Sequence, residues 1–172
     1  MIELLLLSLL QRLLAVIIPY LQQLDRKLEN LLHRNGPGAN NNLVVPVVLT
    51  AKQIDSQVLE SFPPGTDNDL SWRTLISRGR TPTDTLTVGK ATLPPQTGQL
   101  CAHRHQQAEV YHILSGQGLM TLGDSQGEVG EGDVVFIPGN EIHGIKDSSD
   151  KAELTWMYYF ACNGFEDVKY RF

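Results

Sequence analysis

Cysteine is scarce: Cys101 and Cys162 are the two thiols in 172 residues. They show neither the paired spacing of a zinc knuckle nor the density of a disulfide-stapled secreted domain, which points to a reducing, cytoplasmic setting. Clustered positive charge is absent too. Lys and Arg number 14 against 19 Asp and Glu, a net charge of -5. No basic cluster interleaves with aromatics, so nucleic acid is not an expected partner. There is no internal repeat, no low-complexity tract and no glycine-rich phosphate loop, which removes solenoids and P-loop nucleotide chemistry. A chain of this length holds one domain with a full core plus an appendage, and is too short for two ordinary domains.

What is present divides near residue 40. Residues 2–18 are almost continuously apolar, long enough to suggest a membrane span. Gln11 and Arg12 sit at the centre of that run, however, where a charge costs about 2.5–3.5 kcal/mol, and Glu3 stands where a signal peptide carries basic residues. Ser8, Arg12, Pro19, Gln22, Arg26 and Glu29 recur near helical spacing and leave a broad face of Leu10, Leu13, Leu14, Ile17, Leu21, Leu24, Leu28 and Leu31. The pattern predicts an amphipathic helical segment over 1–35, bent or restarted at Pro19. Asn35-Gly36-Pro37-Gly38 ends it, and 36–42 reads as a linker. The apolar face is read first as a contact with the following domain or with its twin in a second subunit. Membrane-surface contact through residues 2–32, a true span and an artificial extension are the alternatives.

From residue 43 onward the periodicity becomes that of short strands. Residues 43–48 are β-branched, with Pro46 confining them to an edge or to an arm between subunits. Thr50 with Gln53 forms a capping-box signature, and Ile54, Val58 and Leu59 offer an apolar helix face before Pro63-Pro64-Gly65 stops it. Strands are then predicted at 71–76, 85–93, 101–105, 110–114, 119–122, 133–137 and 153–160, separated by Gly, Pro, Asp or Asn turns. That is the spacing of an all-β sandwich or barrel over 43–172.

Chemistry concentrates between Gly98 and His143. In His103-Arg104-His105 the two imidazoles fall on one face of a strand, because side chains alternate with period two. Glu109 follows within reach of the next strand, and His143 returns after the Gly132-Asp133 turn and the Pro138-Gly139-Asn140 loop. Three imidazoles and a carboxylate suit one divalent first-row ion, with one or two positions open for substrate or water. Tyr111 shares parity with Glu109 and offers a phenol to a substrate or a general base, with core packing as the equal alternative. Cys101 shares parity with His103, Trp156 and Tyr158 face away from Glu153 and Thr155, and His33 and His112 read as structural.

These residues also carry a family resemblance. Residues 98–116, with Gly98, His103, His105, Glu109 and Gly116, resemble the first motif of the cupin superfamily. Residues 132–143, with Gly132, Pro138 and His143, look like the second. Gly98 lies one residue closer to the first histidine than is usual, Asn140 stands where the second motif often has glycine, and Asp147 stands where it often has asparagine.

The resemblance implies a single antiparallel jelly-roll β-barrel over 43–172, preceded by the amphipathic helix. Such barrels are often homodimers, sometimes through exchanged N-terminal strands, for which 43–48 are the candidate arm. It also implies one divalent metal (Fe, Mn, Ni or Zn) on His103, His105, Glu109 and His143, with Glu109 and Tyr111 as the catalytic candidates. The fold hosts many chemistries and does not choose among them. The leading expectation is a metal-dependent enzyme, dioxygenase or lyase, cyclase or isomerase, acting on a small carboxylate-, carbonyl- or phenol-bearing substrate. Residues 109–116 are similar to those of cupin lyases acting on dimethylsulfoniopropionate, and to many other small cupins. The alternative is a non-catalytic ligand sensor whose N-terminal helix passes the signal on.

Overall fold

In the computed structural model, residues 43–172 are described, together with Leu13, Leu14, Ala15, Ile17, Ile18, Leu21 and Leu24. These seven are helical. The rest of the expected amphipathic segment, the linker at 36–42 and His33 lie outside the described residues. Among the described residues no helix is long and apolar enough to cross a membrane. The chain divides into a unit Met1–Asn42 and a unit Leu43–Phe172, and the fold below is that of the second.

Residues 43–50 form neither strand nor helix. Before Thr50, one main-chain hydrogen bond, Val45 N–H to Pro82 O at 2.9 Å, ties them down, and Pro46 has no N–H with which to continue a ladder. The capping box forms as its residues dictate. Thr50 Oγ1 accepts from Gln53 N–H while Gln53 Oε1 accepts from Thr50 N–H, opening helix α1 at Ala51–Asp55. α1 is shorter than its apolar residues suggest and buries none of them, and Val58 and Leu59 lie exposed beyond it.

Ten strands follow. β1 (Glu60–Ser61), β2 (Ser71–Ile76), β3 (Thr87–Leu93), β10 (Leu154–Phe160), β5 (Glu109–Ser115) and β8 (Val134–Ile137) form one sheet in the order β1-β2-β3-β10-β5-β8. The second sheet runs β4 (Gln99–His103), β9 (His143–Asp147), β6 (Gln117–Leu122), β7 (Ser125–Gly130). Every pairing of these strands is antiparallel. Among the described residues no ladder joins the edge of one sheet to the edge of the other, so the expected barrel is a pair of sheets rather than a closed cylinder. Closure needs a ladder that continues around the rim, and among the described residues none joins β1 or β8 to β4 or β7.

Alternation makes the core. In β5 and β10, Tyr158 lies opposite Tyr111, Trp156 opposite Ile113 and Phe160 opposite Glu109, so these side chains share the inward face. Leu100, Met120 and Ile145 of the second sheet join the same buried cluster. Leu93, Ile137, Leu154 and Phe160 are wholly excluded from solvent, a burial worth about 1.5–3 kcal/mol for each such side chain. The β5–β6 turn depends on Gly116. Its φ is +84°, and a Cβ there would lie 2.4 Å from the Glu153 carbonyl oxygen. Only a residue without a side chain meets both demands.

A candidate metal centre between the sheets

The two sheets each send donors to one point. β4 and β9 pair so that His103 lies opposite His143. Arg104 leaves β4 in an isolated antiparallel bridge with Arg171, and His105 follows. Glu109 opens β5, flanked by Phe160 of β10 and Ile137 of β8, and so reaches the cluster from the opposite sheet. His103, His105, Glu109 and His143 are 2%, 1%, 2% and 0% exposed.

The hydrogen-bond inventory of the cluster is one-sided. Nδ1 of His103 lies 2.9 Å from Cys101 O, Nδ1 of His105 2.9 Å from Gln107 O, and Nδ1 of His143 2.9 Å from Glu141 O. A carbonyl oxygen only accepts, so each Nδ1 holds the proton and donates it. In a neutral ring the Nε2 is then a lone pair, as it is in His103. Nε2 of His105 and Nε2 of His143 each sit 3.2 Å from Glu109 Oε2, while Nε2 of His103 is buried with no partner. With the three rings neutral, Glu109 Oε2 faces two imidazole lone pairs and the His103 lone pair is buried unpartnered, an arrangement that costs several kcal/mol unless a cation supplies the missing positive charge.

The donor set fits a divalent ion. The three imidazole donor atoms lie within 4.8 Å of one another, and nitrogens about 2.0–2.1 Å from a shared ion stand roughly 3–4 Å apart. The backbone carbonyls on Nδ1 fix tautomer and ring orientation, as the outer partners of metal-binding histidines do. Burial, the neighbouring His143 and, more weakly, His105 push the His103 pKa down to about 3 against the opposing Cys101 carbonyl. His103 is therefore neutral at physiological pH, the state a ligand needs.

Around this centre the structure sorts the remaining candidates. Tyr111 is 2% exposed, its ring 6.4 Å from that of His143 and 5.3 Å from that of Trp156. Burial first, then the Glu109 charge, raise its pKa well above that of an ordinary phenol, so Tyr111 holds its proton at neutral pH. Trp156 lies beside it with an indole N–H that has no partner. Tyr158 sits within hydrogen-bonding distance of Thr74, 3.4 Å between hydroxyl oxygens. Cys101 does not share the face of His103. The β4–β9 register slips between Leu100 and His103, and the extra residue turns the Cys101 thiol to the Asp67 carbonyl at 3.4 Å. Asp147, in place of the asparagine common at that position, accepts from Ser149 N–H and Leu154 N–H at 2.6 and 2.9 Å and closes the turn into β10.

Two aromatic residues beside the centre carry no sequence signal. The Tyr170 ring lies 4.7 Å from that of His103, and Phe172 5.6 Å from it. Burial and then the Glu109 charge raise the Tyr170 pKa well above the ordinary phenol. The alternation of Tyr170 and Phe172 marks a β-like segment, but nothing in the sequence indicates which strand it meets.

Two antiparallel sheets with a buried three-histidine cluster between them define the class, and the chain belongs to the cupin superfamily. The Cupin domain profile matches residues 89–160. The chain is 34% identical over 111 residues to dimethylsulfoniopropionate lyase DddW of Ruegeria pomeroyi, across 63% of this chain and 71% of that protein. Among solved structures it is similar to the polyketide cyclase RemF of Streptomyces resistomycificus. That match has a TM-score of 0.59 at 21% identity, over 72% of this chain and 84% of that one. It is also similar to a chain from the crystal structures of the DMSP lyases RdDddP and RnDddQII, with TM-score 0.51 at 21% identity, over 59% of this chain and 51% of that one. At these identities the solved structures establish the fold alone.

Proposed function

We propose that this chain is a metal-dependent lyase that eliminates a leaving group β to a carboxylate, with dimethylsulfoniopropionate as the first substrate to test. The observation that carries the reading is the buried cluster of three histidines, two of them with Nε2 3.2 Å from the Glu109 carboxylate, in a chain similar to dimethylsulfoniopropionate lyase DddW. His103, His105 and His143 through Nε2, and Glu109 through its carboxylate, would hold the divalent ion. When bound, it supplies the positive charge that attracts an anionic oxygen of the substrate.

The residues of the chain account for the proton handling. In a β-elimination the C–H electrons form the new double bond and the C–S electrons leave with sulfur. The proton must pass to a base, and no external oxidant is needed. Glu109, when it is not a ligand, is the candidate base, and Tyr111, which keeps its hydroxyl proton beside Glu109, is the group that would hydrogen-bond to the reacting centre and hand a proton back rather than take one. The packed rings of Tyr111, Trp156 and Phe160 keep bulk water from that proton. Elimination is compatible with a redox-inert ion such as zinc, whereas a dioxygenase requires a redox-active one.

Metal replacement tests the reading. Protein stripped by a chelator and reloaded with Zn, Fe, Mn or Ni is supplied with dimethylsulfoniopropionate without oxygen, and dimethyl sulfide is measured in the headspace. Turnover with at least one redox-inert ion is expected. A loaded protein that binds no carboxylate at its metal, judged by the spectrum of the cobalt form, would sink the proposal. A ligand-driven change in oligomeric state without turnover would favour the sensor instead.

A further inference from the structure

The residues around Tyr170 form an element that the proton chemistry above does not use. Val168–Phe172 alternates apolar and basic residues, with Val168, Tyr170 and Phe172 separated by Lys169 and Arg171. Arg171 makes both main-chain hydrogen bonds of an antiparallel bridge with Arg104, 3.0 Å in each direction. Arg104 is the residue between His103 and His105, so the segment lies directly against the two ligands. Alternation puts Tyr170 and Phe172 on the side opposite Arg171. Tyr170 is 5.7 Å from His105 as well as 4.7 Å from His103 by ring centroids. Tyr170 and Phe172 stack at 6.0 Å and 19°, and Phe62 meets both edge-on at 5.7 and 5.8 Å.

The segment is tethered on its other side to the second motif. The Arg171 guanidinium donates to Asn140 Oδ1 at 2.5 Å, and Asn140 N–H donates to His105 O at 2.7 Å. Asn140 has a φ of +67°, in the left-handed region that glycine adopts without strain and asparagine tolerates. An asparagine there accepts the cost because its carboxamide does what glycine cannot: it joins the His143 loop to the segment over His103. Farther back, Gln107 Nε2 donates to Asp167 O at 3.1 Å, and Arg78 spans Glu166 and Asp167 at 2.8 and 3.0 Å.

We propose that Val168–Phe172 is a strap that closes the metal centre, with Asn140 as its latch and the Tyr170 and Phe172 rings as the wall that decides which ligands reach the metal. This rests on the metal-centre reading above. Val168 anchors the strap in the core and Tyr170 packs on Phe62 and Phe165. Beyond Val168 the main-chain and side-chain ties are one bridge and one latch, so the end from Lys169 to Phe172 opens locally while the sheets stay folded. Small anions are then admitted freely, and bulky carboxylates only when the strap lifts.

The test uses the full chain loaded with cobalt, with metal content measured first. A wild-type protein that takes up no cobalt overturns the metal centre itself. Given one ion per chain, the rate of cobalt loss to excess dipicolinate is followed by absorbance. Losing the latch in Asn140→Gly, which keeps the backbone geometry and both rings, should speed extraction about fivefold. Tyr170→Ala should speed it about tenfold or more, with Tyr170→Phe within about twofold of wild type because the ring remains. In the same variants the cobalt spectrum should respond to benzoate at lower concentration than in wild type, while its response to azide is unchanged. Extraction rates and benzoate responses of Asn140→Gly and Tyr170→Ala equal to those of wild type overturn the strap and leave the metal centre standing.

Discussion

Replacing Glu109 with glutamine should stabilise the metal-free protein while weakening the proposed metal site. In the metal-free centre Glu109 Oε2 faces two imidazole lone pairs, each at 3.2 Å. A glutamine nitrogen at that position carries two hydrogens and can donate one to each ring. At a pH where the imidazoles are neutral, repulsion between acceptors is exchanged for two buried hydrogen bonds, each worth about 0.5–1.5 kcal/mol. The gain is about 1–3 kcal/mol, and at roughly 3–5 °C per kcal/mol for a domain of this size the melting temperature rises by about 3–15 °C. The assay is thermal unfolding at pH 8 by near-ultraviolet circular dichroism after chelator treatment, beside elemental analysis of both proteins after metal loading. Glutamine has no charge with which to neutralise the ion, so occupancy should fall in the same variant that melts higher. A metal-free Glu109→Gln protein that melts below metal-free wild type would refute the acceptor-only description of the centre.

Acid should destabilise the metal-free protein through His103. Its folded pKa is held to about 3 while the unfolded imidazole titrates near 6.5, so the unfolded chain binds a proton that the folded chain refuses. That contribution is full above about pH 6.5 and is lost as pH falls toward 3, at most about 5 kcal/mol. Urea midpoints that do not move between pH 7.5 and 5 would contradict it. Tyr111→Phe should lower turnover by about a hundredfold or more with metal content unchanged, measured by headspace assay and elemental analysis together. Gly116→Ala combines a φ of +84° with a Cβ 2.4 Å from Glu153 O, and should cost about 2–3 kcal/mol in urea unfolding.

Strands were legible where one face is apolar and the other polar. β2 and β10 follow from the alternation in Ser71–Ile76 and Leu154–Phe160. β7 escaped because Ser125–Gly130 is polar and glycine-bearing and lies at a sheet edge, with its first four residues exposed. β9 escaped for a different reason. It contains Gly144 among buried neighbours, and its identity as a strand comes from pairing with β4 and β6 rather than from any pattern of its own. Cys101 shares sequence parity with His103 but not its face, because parity counting assumes an unbroken ladder and the bulge before His103 adds one residue to the count.

The four acceptors of the centre were written into the chain as local spacings: a histidine pair two residues apart, a carboxylate four residues beyond, and a third histidine behind a turn rich in Gly and Pro. Spacing of that kind survives translation into structure because strand geometry is periodic over a few residues. Their protonation was not written there. Only the folded backbone presents a carbonyl to each Nδ1 and turns each Nε2 inward. The wall of the centre depended on tertiary structure still more. Tyr170 and Phe172 lie more than sixty residues from His105 along the chain, and they reach it through a main-chain bridge at Arg104 that any side chain would permit. Contacts made by backbone across long separations leave no residue pattern to read, whereas contacts made by side chains of defined chemistry do.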